Sequence, residues 1–214
     1  MIRRRSLIGA SLALGGVEAT RASAADAPPA AAPKILRYPF VAAETGFDPA
    51  RISDLYSSVV TAHIFEAPYR YDYLARPFKV VLNTASAMPE ASDDFRTFTV
   101  RIRPGIYFAP DPAFKGVPRE LVAADYVYAW KRFFDPANKS PVLTEFNDVG
   151  AIGVAALREE ALRTKRPFDY DRAVEGVRPL DRYTLQFKLA DARPRLIYTL
   201  ANNARFGAVA REVV

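Results

Sequence analysis

Alternation of apolar and polar residues predicts a strand at residues 97–103. Every second residue from Phe98 to Ile102 is apolar, and the residues between are threonine or arginine, as in a strand with one buried face. Pro104-Gly105 predicts a tight turn, because proline fixes φ at the first central position and glycine accepts a positive φ at the second. We expect Ile106–Phe108 to continue as a second short strand.

A helical pattern follows over residues 123–134. Asp125 in the first turn complements the positive end of the helix, Lys131 and Arg132 complement the other end, and Asp135-Pro136 ends it. Apolar residues at spacing i, i+4, i+7 and i+11 predict one buried face, formed by Ala123, Val127, Trp130 and Phe134.

Other segments predict further elements by the same periodicities. A helix capped by Ser53 and running to about Phe65 is expected to direct Leu55, Val59, Ala62 and either Ile64 or Phe65 toward the core. The remaining predictions are a strand at Leu36–Phe40, a helix at Val154–Lys165, a turn at Pro179–Arg182 followed by a strand at Tyr183–Leu189, and a helix-like run within Leu196–Val214.

The N-terminus has the pattern of a signal peptide over residues 1–24. Arg3–Arg5 form a basic segment, Leu7–Val17 a short apolar segment, and Ala22–Ala24 a small-residue cleavage site, so we expect export and cleavage after Ala24. Arg4-Arg5 leaves the twin-arginine and general secretion routes both open. The Ala- and Pro-rich residues 25–33 are expected to be a flexible lead. A disordered tail of a cytosolic protein is the alternative to a signal peptide.

Charge and composition narrow the function classes. Removal of residues 1–24 takes four arginines and one glutamate from the 30 basic and 24 acidic residues, which leaves a net charge of +3 and no basic run typical of nucleic-acid binding. The chain has no cysteine, so its stability must come from a packed core. His63 is the single histidine and is interpreted as structural, since it cannot build a zinc site of the usual ligand types alone.

The strand TFTVRIR, the Pro-Gly turn and the helix VAADYVYAWKRFFDP together resemble the signature region of family-five extracellular solute-binding proteins. These are the peptide, dipeptide and nickel receptors of bacterial ABC importers. Glu66–Asp72, Leu82–Ala85 and Tyr183–Leu189 resemble further segments in the family's order. Val122 departs from the family's Thr or Ser helix cap, so that cap is absent or replaced by another group. Tyr107–Pro110 stands where the family has Phe-His-Asp-Gly.

The resemblance implies an α/β (α+β mixed) fold, like a type II periplasmic binding protein. Residues 34–214 would form the N-terminal part of lobe I, an incomplete first lobe with a mixed sheet and packed helices, and the chain would stop before lobe II. The implied function is to bind a short peptide or related solute in a two-lobed cleft and deliver it to permease subunits in the inner membrane. The protein would be a periplasmic monomer without catalytic residues, metal or cofactor.

The resemblance also places the loop Val41–Pro49 at the cleft, with Glu44, Thr45, Gly46 and Phe47, together with Tyr107, as candidate ligand-binding residues. The alternative is a simple turn closed by Asp48-Pro49. Two other functions stay open, a truncated interaction module without a transport role and an exported hydrolase. The ligand could be a peptide, a nickel chelate, haem or a sugar. Because one lobe supplies half the contacts, we expect residues 25–214 alone to bind peptides in the millimolar range, about −4 kcal/mol.

Overall fold

The computed structural model describes residues 34–214, and the chain divides into two units, Met1–Pro39 and Phe40–Val214. The expected signal peptide (1–24) and flexible lead (25–33) lie outside the described residues. Of the first unit, residues 34–39 are described and have no regular secondary structure.

The predicted strand at Leu36–Phe40 is wrong. Leu36 and Tyr38 are both largely exposed, and residues 36–40 form no strand in the described structure. A strand is stable only when a neighbouring strand satisfies its backbone groups. A short alternating pattern in the sequence does not show whether a neighbouring strand is available, so it is weak evidence for a strand.

Six helices and six strands form the described part of the chain. The helices are α1 (Leu55–Ile64), α2 (Ala123–Arg132), α3 (Leu143–Val149), α4 (Val154–Thr164), α5 (Leu196–Thr199) and α6 (Asn203–Phe206). The strands are β1 (Tyr69–Tyr71), β2 (Val80–Leu82), β3 (Glu90–Ala91), β4 (Thr97–Arg101), β5 (Val177–Pro179) and β6 (Thr184–Lys188). Short 3-10 helices lie at Pro112–Phe114, Pro136–Asn138 and Arg211–Val213.

The strands form a two-stranded sheet, β1-β2, and a four-stranded sheet in the order β3-β4-β6-β5. Phe98 of β4 lies opposite Phe187 of β6, and Val100 lies opposite Leu185, so the apolar residues of both strands share one buried face. All four ladders are antiparallel. The combination of helices and sheets agrees with the expected fold class, whereas the expectation of a mixed sheet does not hold for these ladders.

The predicted turn is confirmed, because Gly105 has φ +80°. The second strand predicted at Ile106–Phe108 is reduced to one bridge, between Tyr107 and Glu120. The Phe108 amide donates to the Arg119 carbonyl at 2.9 Å, and Ile106 accepts from Leu121 at 2.8 Å. This extended segment therefore pairs with the end of its own loop and does not extend the sheet.

Helix α2 begins without a side-chain cap, as Val122 implies, and two other groups replace it. The Asp125 carboxylate accepts the Val122 amide at 2.8 Å, and the backbone carbonyl of Arg182 accepts the Ala123 amide at 2.9 Å. Because Arg182 lies just before β6, this bond also joins the start of the helix to the sheet.

Trp130 of α2 lies at the centre of the core, as its helical spacing predicts. Its ring centroid is 4.8 Å from that of Phe187 on β6, 5.2 Å from Phe146 on α3 and 4.8 Å from Phe206 on α6. One side chain therefore joins the sheet to three helices.

Helix α1 differs from the prediction in its cap and its buried face. Asp54 is the N-cap residue in place of Ser53, and the buried residues are Ser57 and Thr61. Leu55 and Ile64, which we expected in the core, are exposed. The apolar residues of this helix occur on all its sides, so their spacing does not identify the buried face.

We expect Trp130→Ala to destabilise the protein by about 3–5 kcal/mol, the range for removal of a large core aromatic. Chemical denaturation measures this change, with Phe47→Ala, at a half-exposed ring, as the control. A solvent-exposed fluorescence maximum for Trp130, the only tryptophan, would contradict its burial.

Candidate functional site

The loop at residues 41–49 is attached to α2 by a two-bond ion pair. Arg132 donates to the two Asp48 carboxylate oxygens at 2.8 and 2.7 Å. The arginine side chain is 7% exposed and the aspartate side chain 26%. Burial acts to lower the pKa of Arg132, but the hydrogen bonds to Asp48 outweigh it and raise that pKa. The Arg132 guanidinium therefore stays charged, and its two hydrogen bonds to Asp48 hold the end of the loop in one position.

The middle of the same loop is bonded to the start of α1. The Thr45 hydroxyl donates to Asp54 at 2.5 Å, and the Thr45 amide donates to the Ser57 hydroxyl oxygen at 2.9 Å. The Gly46 amide points to the same Ser57 oxygen at 3.4 Å. Asp54 also accepts the Ser57 amide at 2.8 Å, as an N-cap residue does. The polar groups of Thr45 and Gly46 are thus part of the scaffold.

What this scaffold presents to solvent is mainly apolar. Phe47 is 48% exposed and Leu55, at the first position of α1, is 69% exposed, while Glu44 adds an exposed carboxylate. We call the loop 44–47 and Leu55 the loop platform. A Cβ placed on Gly46 would meet Ile52 at 3.7 Å, an ordinary contact, so the backbone there does not require glycine.

Tyr107 lies in a different place from the other predicted site residues. It is 56% exposed and lines a groove of about 400 Å³ with Ile106, Phe108 and Leu121. The far end of α1, at Ile64, lines the same groove, whereas residues 44–47 do not. We call this the second groove, because it is separate from the loop platform. The predicted site residues therefore lie on two surfaces, with residues 44–47 on the loop platform and Tyr107 at the second groove.

Leu55 was missed as a candidate surface residue, because its helical spacing suggested burial. His63 is exposed, and its Nδ1 lies 2.7 Å from the Val59 carbonyl oxygen one turn earlier in α1. Within residues 34–214, no three His, Asp or Glu side chains group in a way that could hold a metal ion.

The sequence profile described as "Bacterial extracellular solute-binding proteins, family 5 Middle" matches residues 79–209. The chain belongs to this family. Family-five members are binding proteins, and the matched residues include strands β4 and β6 and helix α2, whose segments carried the resemblance.

Three solved structures with a similar fold are described as binding peptides. The Escherichia coli murein tripeptide binding protein MppA has a TM-score of 0.57 and 26% identity over 79% of this chain and 29% of its own. The pheromone receptor PrgZ, solved for its mode of peptide binding, has a TM-score of 0.55 and 25% identity over 78% of this chain and 29% of its own. Haemophilus influenzae OppA, in complex with the peptide RPPGFSPFR, has a TM-score of 0.59 at 21% identity over 78% of this chain, a likeness of fold.

These structures confirm the expected periplasmic-binding-protein-like fold. This family-five chain spans 29% of the length of each of the three solved structures. No curated protein matches its sequence. Among the helices of residues 34–214, none combines the length and apolar character that a membrane span requires.

We expect Asp48→Ala to destabilise the protein by about 3 kcal/mol, because it leaves the buried Arg132 guanidinium without its carboxylate. Asp171→Ala is the control, since it removes an exposed carboxylate from its pair with Arg211 and should cost about 0–1 kcal/mol. Urea denaturation compares the two variants. Equal losses would show that the Asp48–Arg132 pair has no special role.

Attachment of the loop to α1 should depend on pH through Asp54. Hydrogen bonds from Ser57 and Thr45 lower the pKa of this carboxyl from 3.8 to about 2. Because the folded protein binds this proton less tightly than the unfolded chain, Asp54 contributes stability above pH 3.8 that is lost as the pH falls toward 2.

Amide resonances of Thr45 and Gly46 followed by NMR over this pH range should shift together with the Asp54 carboxyl. In Asp54→Asn, which cannot titrate, they should not shift in this way. A titration of Asp54 at the ordinary value would contradict the hydrogen-bonded cap.

Proposed function

We propose that this chain is part of the substrate-binding component of an ABC importer, and that the loop platform forms one wall of its cleft for a short peptide. The observation that carries the proposal is an apolar surface on a fixed support. Phe47 and Leu55 are exposed, while the backbone between them is held by α1 and by the Asp48–Arg132 pair.

A fixed loop of this kind suits ligand binding. Hydrogen bonds to Ser57 and Asp54 order residues 45 and 46 before any ligand arrives, so binding does not have to order them. The exposed ring of Phe47 and side chain of Leu55 offer apolar contacts for the side chains of a peptide. Glu44 adds one negative charge at the same surface.

A peptide is the ligand class that the related structures favour. A murein tripeptide binding protein and a peptide-binding pheromone receptor share the fold at 26% and 25% identity. In two-lobed receptors a second lobe closes over the ligand and excludes water. Within this proposal, the protein is exported to the periplasm, acts as a monomer without a cofactor, and delivers its ligand to permease subunits.

Tyr107 takes a secondary role in this proposal. Its ring stands at the second groove, which is mostly apolar and includes the acidic residues Glu66 and Asp111. We propose that it contacts an extended ligand or a later part of the polypeptide, and that the loop platform makes the main contacts.

We expect Phe47→Ala and Leu55→Ala each to weaken peptide binding by about fivefold to tenfold, roughly 1–1.4 kcal/mol, because each removes apolar contact area. Leu162→Ala is the matched control, since Leu162 is also an exposed leucine on a helix but lies on α4. Calorimetric titration with a di- to pentapeptide library should be run on this chain and on a longer product of the same gene.

The longer product should bind peptides far more tightly than this chain, for which millimolar affinity is expected. Micromolar binding by the chain of 214 residues alone would overturn the two-lobe account. Unchanged affinity in both loop-platform variants, with a loss in Tyr107→Ala, would move the cleft to the second groove.

A further inference from the structure

The end of the loop 41–49 has a second attachment besides the Asp48–Arg132 pair. Asn138 lies on the short 3-10 helix that follows α2 and is 8% exposed. Its side-chain oxygen accepts hydrogen bonds from Arg51 Nε at 3.2 Å and from Arg51 Nη2 at 3.1 Å. Arg51 lies two residues after the loop, so this contact joins the loop to a segment 87 positions away from Arg51.

The side-chain nitrogen of Asn138 is bonded as well. Its Nδ2 donates to the Arg132 carbonyl oxygen at 2.8 Å, and that carbonyl lies in the last turn of α2, where helical carbonyls have no intrahelical partner. The two contacts fix the orientation of the amide, because a guanidinium only donates and a carbonyl only accepts. Asn138 therefore satisfies Arg51 and the end of α2 in one orientation.

These contacts and the ion pair form a closed circuit through Asp48, Arg51, Asn138 and Arg132. The Arg51 amide donates to the Asp48 carbonyl oxygen at 2.9 Å, which closes a turn between the two residues. Both Asp48 carboxylate oxygens accept from Arg132 at 2.7 and 2.8 Å, whereas Arg51 Nε is 3.5 Å from Asp48 Oδ2. Because 3.5 Å is long for a hydrogen bond, the Arg51 side chain is held mainly by Asn138.

Phe47 of the loop platform stands between two anchored neighbours. On one side, the Gly46 amide faces the Ser57 oxygen of α1. On the other side, Asp48 belongs to the closed circuit that contains Asn138. A binding surface held at both ends loses less freedom when a ligand arrives than a surface held at one end.

We propose that Asn138 is a positioning residue for the loop platform. It fixes Arg51 against the end of α2 and thereby sets the affinity of the platform for a peptide, although its own side chain is buried and bonded to Arg51 and Arg132. The effect on affinity rests on the function proposed for the loop platform. The positioning itself can be measured without a ligand.

The first measurement follows hydrogen exchange of the amides at positions 50 and 51 in the chain of 214 residues, corrected for intrinsic rates. The Ala50 amide donates to Asp48 Oδ1 at 3.1 Å and the Arg51 amide to the Asp48 carbonyl oxygen. Asn138→Ala and Arg51→Ala should each speed this exchange by about threefold to tenfold, because either change frees the turn on one side.

Gln186→Ala is the matched control for both measurements. Gln186 on β6 accepts from the guanidinium of Arg178 at 2.9 and 3.3 Å, which is the same kind of arginine–amide contact in another part of the fold. Its loss should leave the exchange at positions 50 and 51 and the peptide affinity within about twofold of the wild type.

The second measurement is calorimetric titration of the longer product of the same gene with the di- to pentapeptide library. Asn138→Ala and Arg51→Ala should each weaken binding by about threefold to tenfold, the net contribution of one hydrogen bond. The double variant should bind no more weakly than the weaker single variant, because both changes break the same contact. A general loss of stability would not produce this agreement between the two sites.

Wild-type exchange rates at positions 50 and 51 in Asn138→Ala would overturn the positioning role, whether or not peptides bind. Faster exchange with unchanged affinity would overturn its effect on the loop platform. If the wild-type longer product binds no peptide, the proposed function fails, and the exchange rates alone decide the positioning role. If Asn138→Ala does not fold, Arg51→Ala decides both measurements, since its side chain is 58% exposed.

Discussion

The packing of helix α2 on the four-stranded sheet is the constraint on which the rest of the described structure depends. Three consecutive residues of this helix face three environments, because successive helical side chains are about 100° apart. Trp130 enters the aromatic core, Lys131 bonds to the carbonyls of residues 170 and 172, and Arg132 pairs with Asp48 of the loop. A change in the rotation of α2 would disturb all three at once.

Within the loop, the residues that hold the backbone in place differ from those whose side chains are exposed. Thr45 and Asp48 use their polar groups on α1 and α2, so their side chains have little left to offer a ligand. Phe47 and Glu44, between and beside them, stay at the surface. Binding surfaces built this way keep their shape because the residues that face the ligand are not the ones that hold the backbone.

Membership of the solute-binding family and the two separate surfaces suggest how this chain could serve a larger receptor. The loop platform presents Phe47 and Leu55 on a fixed support, whereas the groove at Tyr107 is lined mostly by apolar residues of other segments. None of residues 44–47 lines that groove, so the two surfaces are separate. Away from both surfaces, Lys131 joins α2 to residues 170–172, because its Nζ donates to the carbonyl oxygens of Tyr170 and Arg172.

The sequence by itself determined the elements whose signals are local. The alternation from Phe98 to Ile102, the turn at Gly105 and the helical spacing around Trp130 depend on backbone geometry and solvent exposure, and each agrees with the structure. The same order of elements was sufficient to identify the family. Within the site, the sequence pointed to the loop before Asp48 but could not say which of its residues face inward.

Strand pairing, helix capping and burial that depend on residues distant in the chain were decided only by the tertiary structure. The alternation at Leu36–Phe40 predicted a strand, yet this segment forms none in the described structure, because alternation alone does not determine which strands pair. The start of α2 is completed by a carbonyl from Arg182, 59 positions away from Ala123. The sequence predicted that Lys131 and Arg132 complement the end of a helix, but it did not predict their burial, which arises because the loop 41–49 and residues 170–172 fold over them. Long-range contacts of this kind have no local sequence signal, since they depend on where the whole chain brings its segments together.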